Sequence, residues 1–474
     1  MGFIKPFGIL KVGIVLFRGY MKNKKYNFLS LNLLKILMLS ISFVCYSAYA
    51  QHTDLKINKN DVEQTLKNFI ILGGEIHGSL LVSQKGEMVF SKGYGYSNRK
   101  NGIKNSDKTQ FLAASITKQF TAAALIKLLY LNEKETKGAS SDVILDNVNK
   151  KLNMPLSAYL SNNDPIWDGV VPDWNNKVTL HDLLSNRSGI VNYTQDTKFY
   201  GEFYNQSDKS LQKLVSLFKN KKLNFKPGSE WEYSDSNYVL LGVVLSRLNQ
   251  SSYEEALEQL IFKPLNMSSS FSIGKGDNYE SFVKKYPMLA QGYQYDVLSK
   301  KGKISEIPKF EEMLYTYATG SLVTTLSDLN KWNRDFYVEH KVLPKAVLLL
   351  MTKGYSQIGP EDFYGYGLFI SNKSKKTEVI FHTGNIAGFS SKIYYYPNID
   401  VTIAWYKNLR ENQDQTRNIL QIASDKYSHI KNEDEKWDLE QVFIKDNYPL
   451  MQELAIKYNF DSQVPIFMGK IFKE

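Results

Sequence analysis

Ser115-Ile116-Thr117-Lys118 lies where a polar lead-in gives way to an apolar helical pattern. A lysine three residues beyond a serine shares a helix face with it. Serine is a weak nucleophile until a neighbouring base takes its proton, and a lysine held out of water releases its own proton more readily. Free N–H groups at a helix start favour developing negative charge. The four-residue pattern alone carries little weight, because Ser97–Lys100, Ser210–Lys213, Ser216–Lys219 and Ser272–Lys275 also match it.

Two further elements change that weight. Tyr233-Ser234-Asp235 stands in a loop that follows the Lys226-Pro227-Gly228 turn and precedes an apolar helix. A tyrosine beside an ammonium is expected to ionise more easily and to serve as a general base. The plainer reading of a Trp-x-Tyr stretch is an aromatic cluster over the core. His382-Thr383-Gly384-Asn385 ends a strand, and Gly388-Phe389 leads into the next. Glycine there lets another backbone or a ligand approach closely. A main-chain N–H at that place would complete an oxyanion hole with that of Ser115. Taken alone, a histidine near a strand is a structural residue.

The elements that must position these groups read as strands at both ends of the chain around a helical middle. Gly78–Ser83 and Met88–Ser91 are predicted strands joined by the turn Gln84–Glu87, with Gly93–Tyr96 continuing the second. A helix is predicted near Asp61–Ile71 and another from Phe111 to Leu131, with Phe120, Ala124, Leu125, Leu128 and Leu129 at helical spacing. Residues 134–142 read as an exposed loop. Thr179–Leu184, Tyr238–Leu248 and Ser327–Tyr337 read as helices. Glu378–His382, Lys392–Tyr396 and Val401–Lys407 read as strands, the last two joined by Pro397-Asn398-Ile399-Asp400. This predicts an α+β fold: one antiparallel sheet built from both ends of the domain and flanked by helices, with a helical lobe inserted between. The sheet lobe is expected at 61–134 and 311–434, the helical lobe at 135–310, and the whole domain at 51–434. Residues 435–474 are expected to be a charged tail or small appendage.

The 474 residues carry a formal charge of +11, but the excess is concentrated at one end. Residues 1–50 hold seven Lys or Arg and no acid, leaving 52 basic against 48 acidic side chains, a net of +4. Nucleic acid is therefore not an expected partner. The same fifty residues have the layout of a secretory signal. Lys22, Lys24 and Lys25 precede an apolar run from Leu33 to Val44, closed by Ala48-Tyr49-Ala50. Cleavage is expected after Ala50, with residues 21–50 as the signal and 1–20 as an upstream extension if translation starts at Met21. The protein is then periplasmic or secreted, with no stable membrane anchor. A retained anchor is the alternative, for which the run is short; Cys45 as a lipid-attachment site would follow a bulky valine. Cys45 is the only cysteine, so the mature chain has no disulfide and no thiolate chemistry.

The chain resembles the serine β-lactamase and penicillin-binding protein superfamily, in its class C-like branch, which also holds D,D-peptidases and β-lactamase-fold esterases. The likeness covers about Gly78 to Lys407. Val178–Ile190 is similar to the family's Leu-Leu-x-His-Thr-Ser-Gly-Leu segment, Thr319–Leu329 to its Gly-Gly-Leu-x-Ser-Thr-x-x-Asp-Leu segment, and Tyr364-Gly365-Tyr366-Gly367-Leu368 to its Tyr-Gly-x-Gly strand entry. The resemblance implies a β-lactamase/transpeptidase-like fold and an acyl-enzyme on Ser115. It makes Lys118 and Tyr233 the proton-handling groups and the N–H groups of Ser115 and Asn385 the oxyanion hole. Asp235, His382, Thr383 and Gly384 would line the substrate site. No metal and no cofactor is implied.

Two positions depart from the family pattern. Asp235 stands where asparagine is usual; a carboxylate can hold Lys118 but offers a substrate no donor. His382 stands where many β-lactamases have lysine and is a weaker cation. Both favour an ester, an amide or a D-amino-acid peptide, a small-molecule or peptide substrate of a class that includes peptidoglycan-derived ones. The alternatives are a β-lactamase, a D,D-carboxypeptidase, or a silent member that binds peptidoglycan or a peptide. No Gly-x-Ser-x-Gly elbow, His-Glu-x-x-His zinc motif or phosphate loop competes.

Overall fold

A computed structural model describes residues 56–71, 75–134, 140–195, 210–274, 284–296, 298, 303–307, 316–372 and 378–411, with Lys426 and Ile430. The expected leader and the expected C-terminal appendage lie outside the described residues, as do 135–139 of the expected loop. Nearly all of the described chain falls in one compact unit, Asn58–Ser462.

In chain order the elements that matter are α1 (Lys59–Ile71), β1 (Gly78–Gln84), β2 (Glu87–Tyr94), α2 (Thr117–Lys134), α3 (Ser141–Leu152), α4 (Asp235–Asn249), α5 (Leu326–Arg334), β3 (Ser356–Gln357), β4 (Asp362–Tyr364), β5 (Phe369–Ser371), β6 (Val379–Ile386), β7 (Phe389–Tyr396) and β8 (Val401–Lys407). The strands form one sheet in the order β3-β4-β5-β6-β7-β8-β1-β2. All neighbours are antiparallel, and Leu81 of β1 lies opposite Ala404 of β8. The fold is α+β, and its sheet joins the two ends of the domain as the pattern requires. Alternation follows the pleat: Ile380, Ile393, Ala404 and Tyr406 face the core with Leu81.

Helix α2 is buried on every side from Thr117 to Leu129. A helix that is apolar nearly all round belongs in the middle of a core, and α2 packs against α3 and α4. Phe120 stacks on Trp332 of α5 with ring centroids 4.0 Å apart. This places the residues at the start of α2 between the sheet and the helices.

Three local expectations need correction. The helix predicted from Phe111 begins only at Thr117: Phe111–Leu112 is a short strand paired with Leu322–Thr324, and Ala114–Ile116 is one 3-10 turn. Apolar spacing cannot separate a buried strand entry from a helix. Strand β2 stops at Tyr94, because Gly95 turns the chain with φ +67°, and Tyr96–Asn98 pairs instead with Ile103–Lys104. The strands at His382 and Tyr396 are longer than predicted, since β6 runs on to Ile386 and β7 starts at Phe389.

Candidate active site

The backbone before Ser115 is bent. Ala114 has φ +47°, a left-handed conformation that costs an L-residue about 1–2 kcal/mol. Its neighbours hold it there. The Ala113 N–H donates to Leu322 O at 2.8 Å, Ser391 Oγ donates to Ala113 O at 2.6 Å, and Thr117 Oγ1 donates to Ala114 O at 2.7 Å. The bend presents Ser115 at the mouth of α2 rather than within it.

Lys118 follows one turn on and is fully buried. Its ammonium has three donors, and each has its own acceptor: Ser115 Oγ at 3.0 Å, Asp235 Oδ1 at 2.7 Å and Thr319 O at 2.9 Å. The rings of Tyr233 and Tyr238 lie 5.0 and 5.6 Å from Nζ. Gly367 explains the Tyr-Gly-x-Gly segment: a Cβ there would lie 2.7 Å from Lys118 O, so only glycine lets this turn rest on the start of α2.

Asp235 opens α4, and the loop before it is anchored by the segment 178–190. Asn186 Oδ1 accepts from the Ser234 N–H at 3.3 Å and from Asn237 Nδ2 at 2.8 Å. Ser188 Oγ donates to Asn237 Oδ1 at 2.6 Å, and the Arg187 guanidinium donates to Gly228 O and Tyr355 O. These residues position Tyr233 and Asp235.

The Tyr233 hydroxyl is enclosed and lacks a hydrogen bond of good geometry. The expectation that this phenol ionises easily is not met. Burial first, and then the Asp235 carboxylate, push it well above the usual tyrosine range, and interaction with the Ser115 hydroxyl offsets this only in part. At neutral pH Tyr233 is a phenol. It can relay a proton but is not a resting base.

Strand β6 brings in the last element. A Cβ on Gly384 would run into Ser391 Oγ and Ala113 O and lie 2.9 Å from Ser115 N, so the strand lies directly against the serine's backbone. Asn385 follows on the exposed end of the same strand, opposite Ser390. Thr383 is half-buried, and its carbonyl accepts from His382 Nδ1 at 2.7 Å. That contact makes Nδ1 the protonated nitrogen. His382 itself is 1% exposed and lies among Phe369, Tyr364 and Tyr233. Burial, with Lys118 adding to it, pushes the imidazole down to about 3. The sequence-based description of His382 as a weak cation is therefore corrected: it is neutral.

This neutrality has a consequence for stability. The unfolded chain binds a proton at His382 near pH 6.5, whereas the folded protein binds it only near pH 3. Stability must fall as pH drops through that window, by up to about 1.4 kcal/mol per unit. Urea unfolding at pH 7 and pH 5 is expected to show wild type losing about 2 kcal/mol more than His382→Gln; equal losses would contradict a neutral buried imidazole.

The structure thus brings Ser115, Lys118, Tyr233, Asp235, His382 and Gly384 together, with Thr383 and Asn385 on the adjoining strand. Pattern reading gave no role to Thr319, Ser391, Tyr364 or Thr194. Thr319 and Ser391 act through a carbonyl and a backbone-directed hydroxyl, which leave no side-chain signature. Among the described residues no group of three or more His, Cys, Asp or Glu side chains is placed to hold a metal.

Comparison with known proteins covers most of the same chain. A family model described as Beta-lactamase matches residues 63–425. Protein flp of Staphylococcus aureus (strain NCTC 8325 / PS 47) is 27% identical over 358 residues, which are 74% of this chain and 64% of that protein. The chain thus spans less than two thirds of that relative. Penicillin-binding protein 4* of Bacillus subtilis (strain 168) is 24% identical over 377 residues, 78% of this chain and 76% of that protein. Two solved structures share the fold. A penicillin-binding protein from Bacillus halodurans has a TM-score of 0.58 at 19% identity, covering 73% of this chain and 95% of that one. The D-amino acid amidase from Ochrobactrum anthropi SV3 has a TM-score of 0.57 at 20% identity, covering 74% and 91%.

Proposed function

Because this chain belongs to the Beta-lactamase family, we propose that it is an exported serine hydrolase that forms an acyl-enzyme on Ser115 and acts on an ester or amide. The observation that carries this reading is the three-way engagement of Lys118, whose buried ammonium links Ser115 Oγ, Asp235 and Thr319 O. Export rests on the leader pattern at 21–50.

In this reading Ser115 Oγ attacks the carbonyl while its proton passes to the Tyr233 phenol oxygen, which gives up its own proton in the same relay, and the Lys118 ammonium steadies the charge that develops on Oγ. The N–H groups of Ser115 and Asn385 receive the developing oxyanion. The Tyr233 phenol hands a proton to the leaving group, and water then attacks the acyl-enzyme with the same groups reversing their roles. Neutral His382 offers no charge to a substrate carboxylate, and Asp235 offers no donor. Both features favour a neutral ester or amide over a β-lactam or a peptide ending in D-Ala carboxylate. Amide hydrolysis is also what the name of the amidase with the same fold describes.

The test is the purified protein, without its leader, assayed with p-nitrophenyl acetate, D-phenylalanine amide, a D-Ala-D-Ala peptide and nitrocefin. Ester or amide kcat/KM should exceed that of both carboxylate substrates by about tenfold or more, the order of one missing charge-assisted contact. Faster β-lactam turnover would overturn the substrate assignment.

A further inference from the structure

Thr194 lies in the 3-10 turn Tyr193–Gln195, and this turn with residues 191–192 before it runs beside the start of α4. This stretch and the helix are joined at several points. The Tyr193 N–H donates to Ser236 Oγ at 3.2 Å, and Ser236 Oγ donates to Val191 O at 2.7 Å. Asn192 Oδ1 accepts the Asp235 N–H at 3.2 Å and the Thr194 N–H at 3.3 Å. Thr194 Oγ1 lies 3.0 Å from Asn192 Oδ1 and 3.0 Å from Asp235 Oδ2. A hydroxyl has one proton to give. Asn192 Oδ1 already receives two N–H groups, and a bond to a carboxylate is the stronger of the two, so the proton goes to Asp235.

We propose that Thr194 is a positioning residue whose hydroxyl holds the second oxygen of the Asp235 carboxylate, leaving one oxygen for Lys118 and keeping a Lys118 donor on Ser115. The inference rests on the reading of Ser115 as nucleophile. Facing an ammonium, an unrestrained carboxylate turns to engage it with both oxygens. Lys118 has three donors for three separate acceptors, and a second oxygen from Asp235 would compete with Ser115 Oγ. The other titratable groups facing Lys118 offer no rival anion. Tyr233, Tyr238 and Tyr364 are held as phenols by burial, and His382 as a neutral imidazole. Asp235 is the charged partner of Lys118 among the described residues, so its orientation decides where the lysine points.

The readout is the rate of covalent labelling by a fluorophosphonate probe, with folding followed by circular dichroism. Thr194→Val should label about tenfold more slowly, the order of one hydrogen bond to a charged group. Thr194→Ser, which keeps the hydroxyl, should restore the rate. In an Asp235→Ala background Thr194→Val should add less than about a twofold loss, because the group it orients is gone. An unchanged rate in Thr194→Val, a loss that serine does not restore, or a loss that adds in full to Asp235→Ala would each overturn the proposal. Wild-type protein that takes no label would overturn the nucleophile as well, whereas labelled protein indifferent to Thr194 removes the positioning role alone.

Discussion

Ser115→Ala is expected to remove covalent labelling by fluorophosphonate or fluorescent penicillin and to lower hydrolysis of p-nitrophenyl acetate by at least about 10³-fold. The reason lies in the surroundings as much as in the residue. Ser115 Oγ is the acceptor of a buried ammonium, and its backbone is held in place by Ala113, Ala114 and Thr117 through bonds to Leu322, Ser391 and each other. Replacing the hydroxyl by hydrogen leaves that frame standing, and Lys118 keeps Asp235 and Thr319. The melting temperature should therefore change by no more than a few degrees while activity disappears. Intact-protein mass spectrometry after probe treatment gives the answer directly. Persistent labelling of the variant would move the nucleophile elsewhere.

Gly384→Ala is expected to cost about 10²-fold or more in kcat while leaving the chain folded. The added methyl group has no free space: it meets the backbone of Ala113, the hydroxyl of Ser391 and, at 2.9 Å, the nitrogen of Ser115. These are main-chain atoms or a side chain bonded to them, so the strain cannot be absorbed by a flexible tip. Either β6 or the turn at Ala114–Ile116 must move, and with it the Ser115 N–H that is proposed to receive the oxyanion. Overpacking of this kind costs stability as well, about 1–3 kcal/mol. Turnover within threefold of wild type would show that the Ser115 N–H is not poised in the way argued above.

Much of this site was legible before any coordinates. Ser115, Lys118, Tyr233, Asp235 and His382 stand out by side-chain type and order, and the structure brings them into one cluster. The two-ended sheet was legible too, because β1, β2, β7 and β8 carry turn residues and β-rich runs that period-two reading detects. Less was visible wherever the backbone does the work. Phe111–Leu112 and the strained Ala114 look like helix in an apolar run, since spacing reports burial and not φ. Thr194 lies 41 residues before Asp235, and no local pattern links them.

The sequence by itself determined which chemistry was available: a serine, a lysine and a tyrosine in an order that resembles one family, and a carboxylate and an imidazole where that family has other groups. Only the tertiary structure decided their protonation. Tyr233 and His382 look like a ready base and a weak cation when read as residue types. In the fold both are withdrawn from water, and His382 also lies near the Lys118 ammonium while Tyr233 lies near the Asp235 carboxylate. Desolvation penalises whichever form is charged, so the phenol keeps its proton and the imidazole stays without a second one. That depends on which side chains close around them, and it is set by the sheet and helices together rather than by any stretch of sequence.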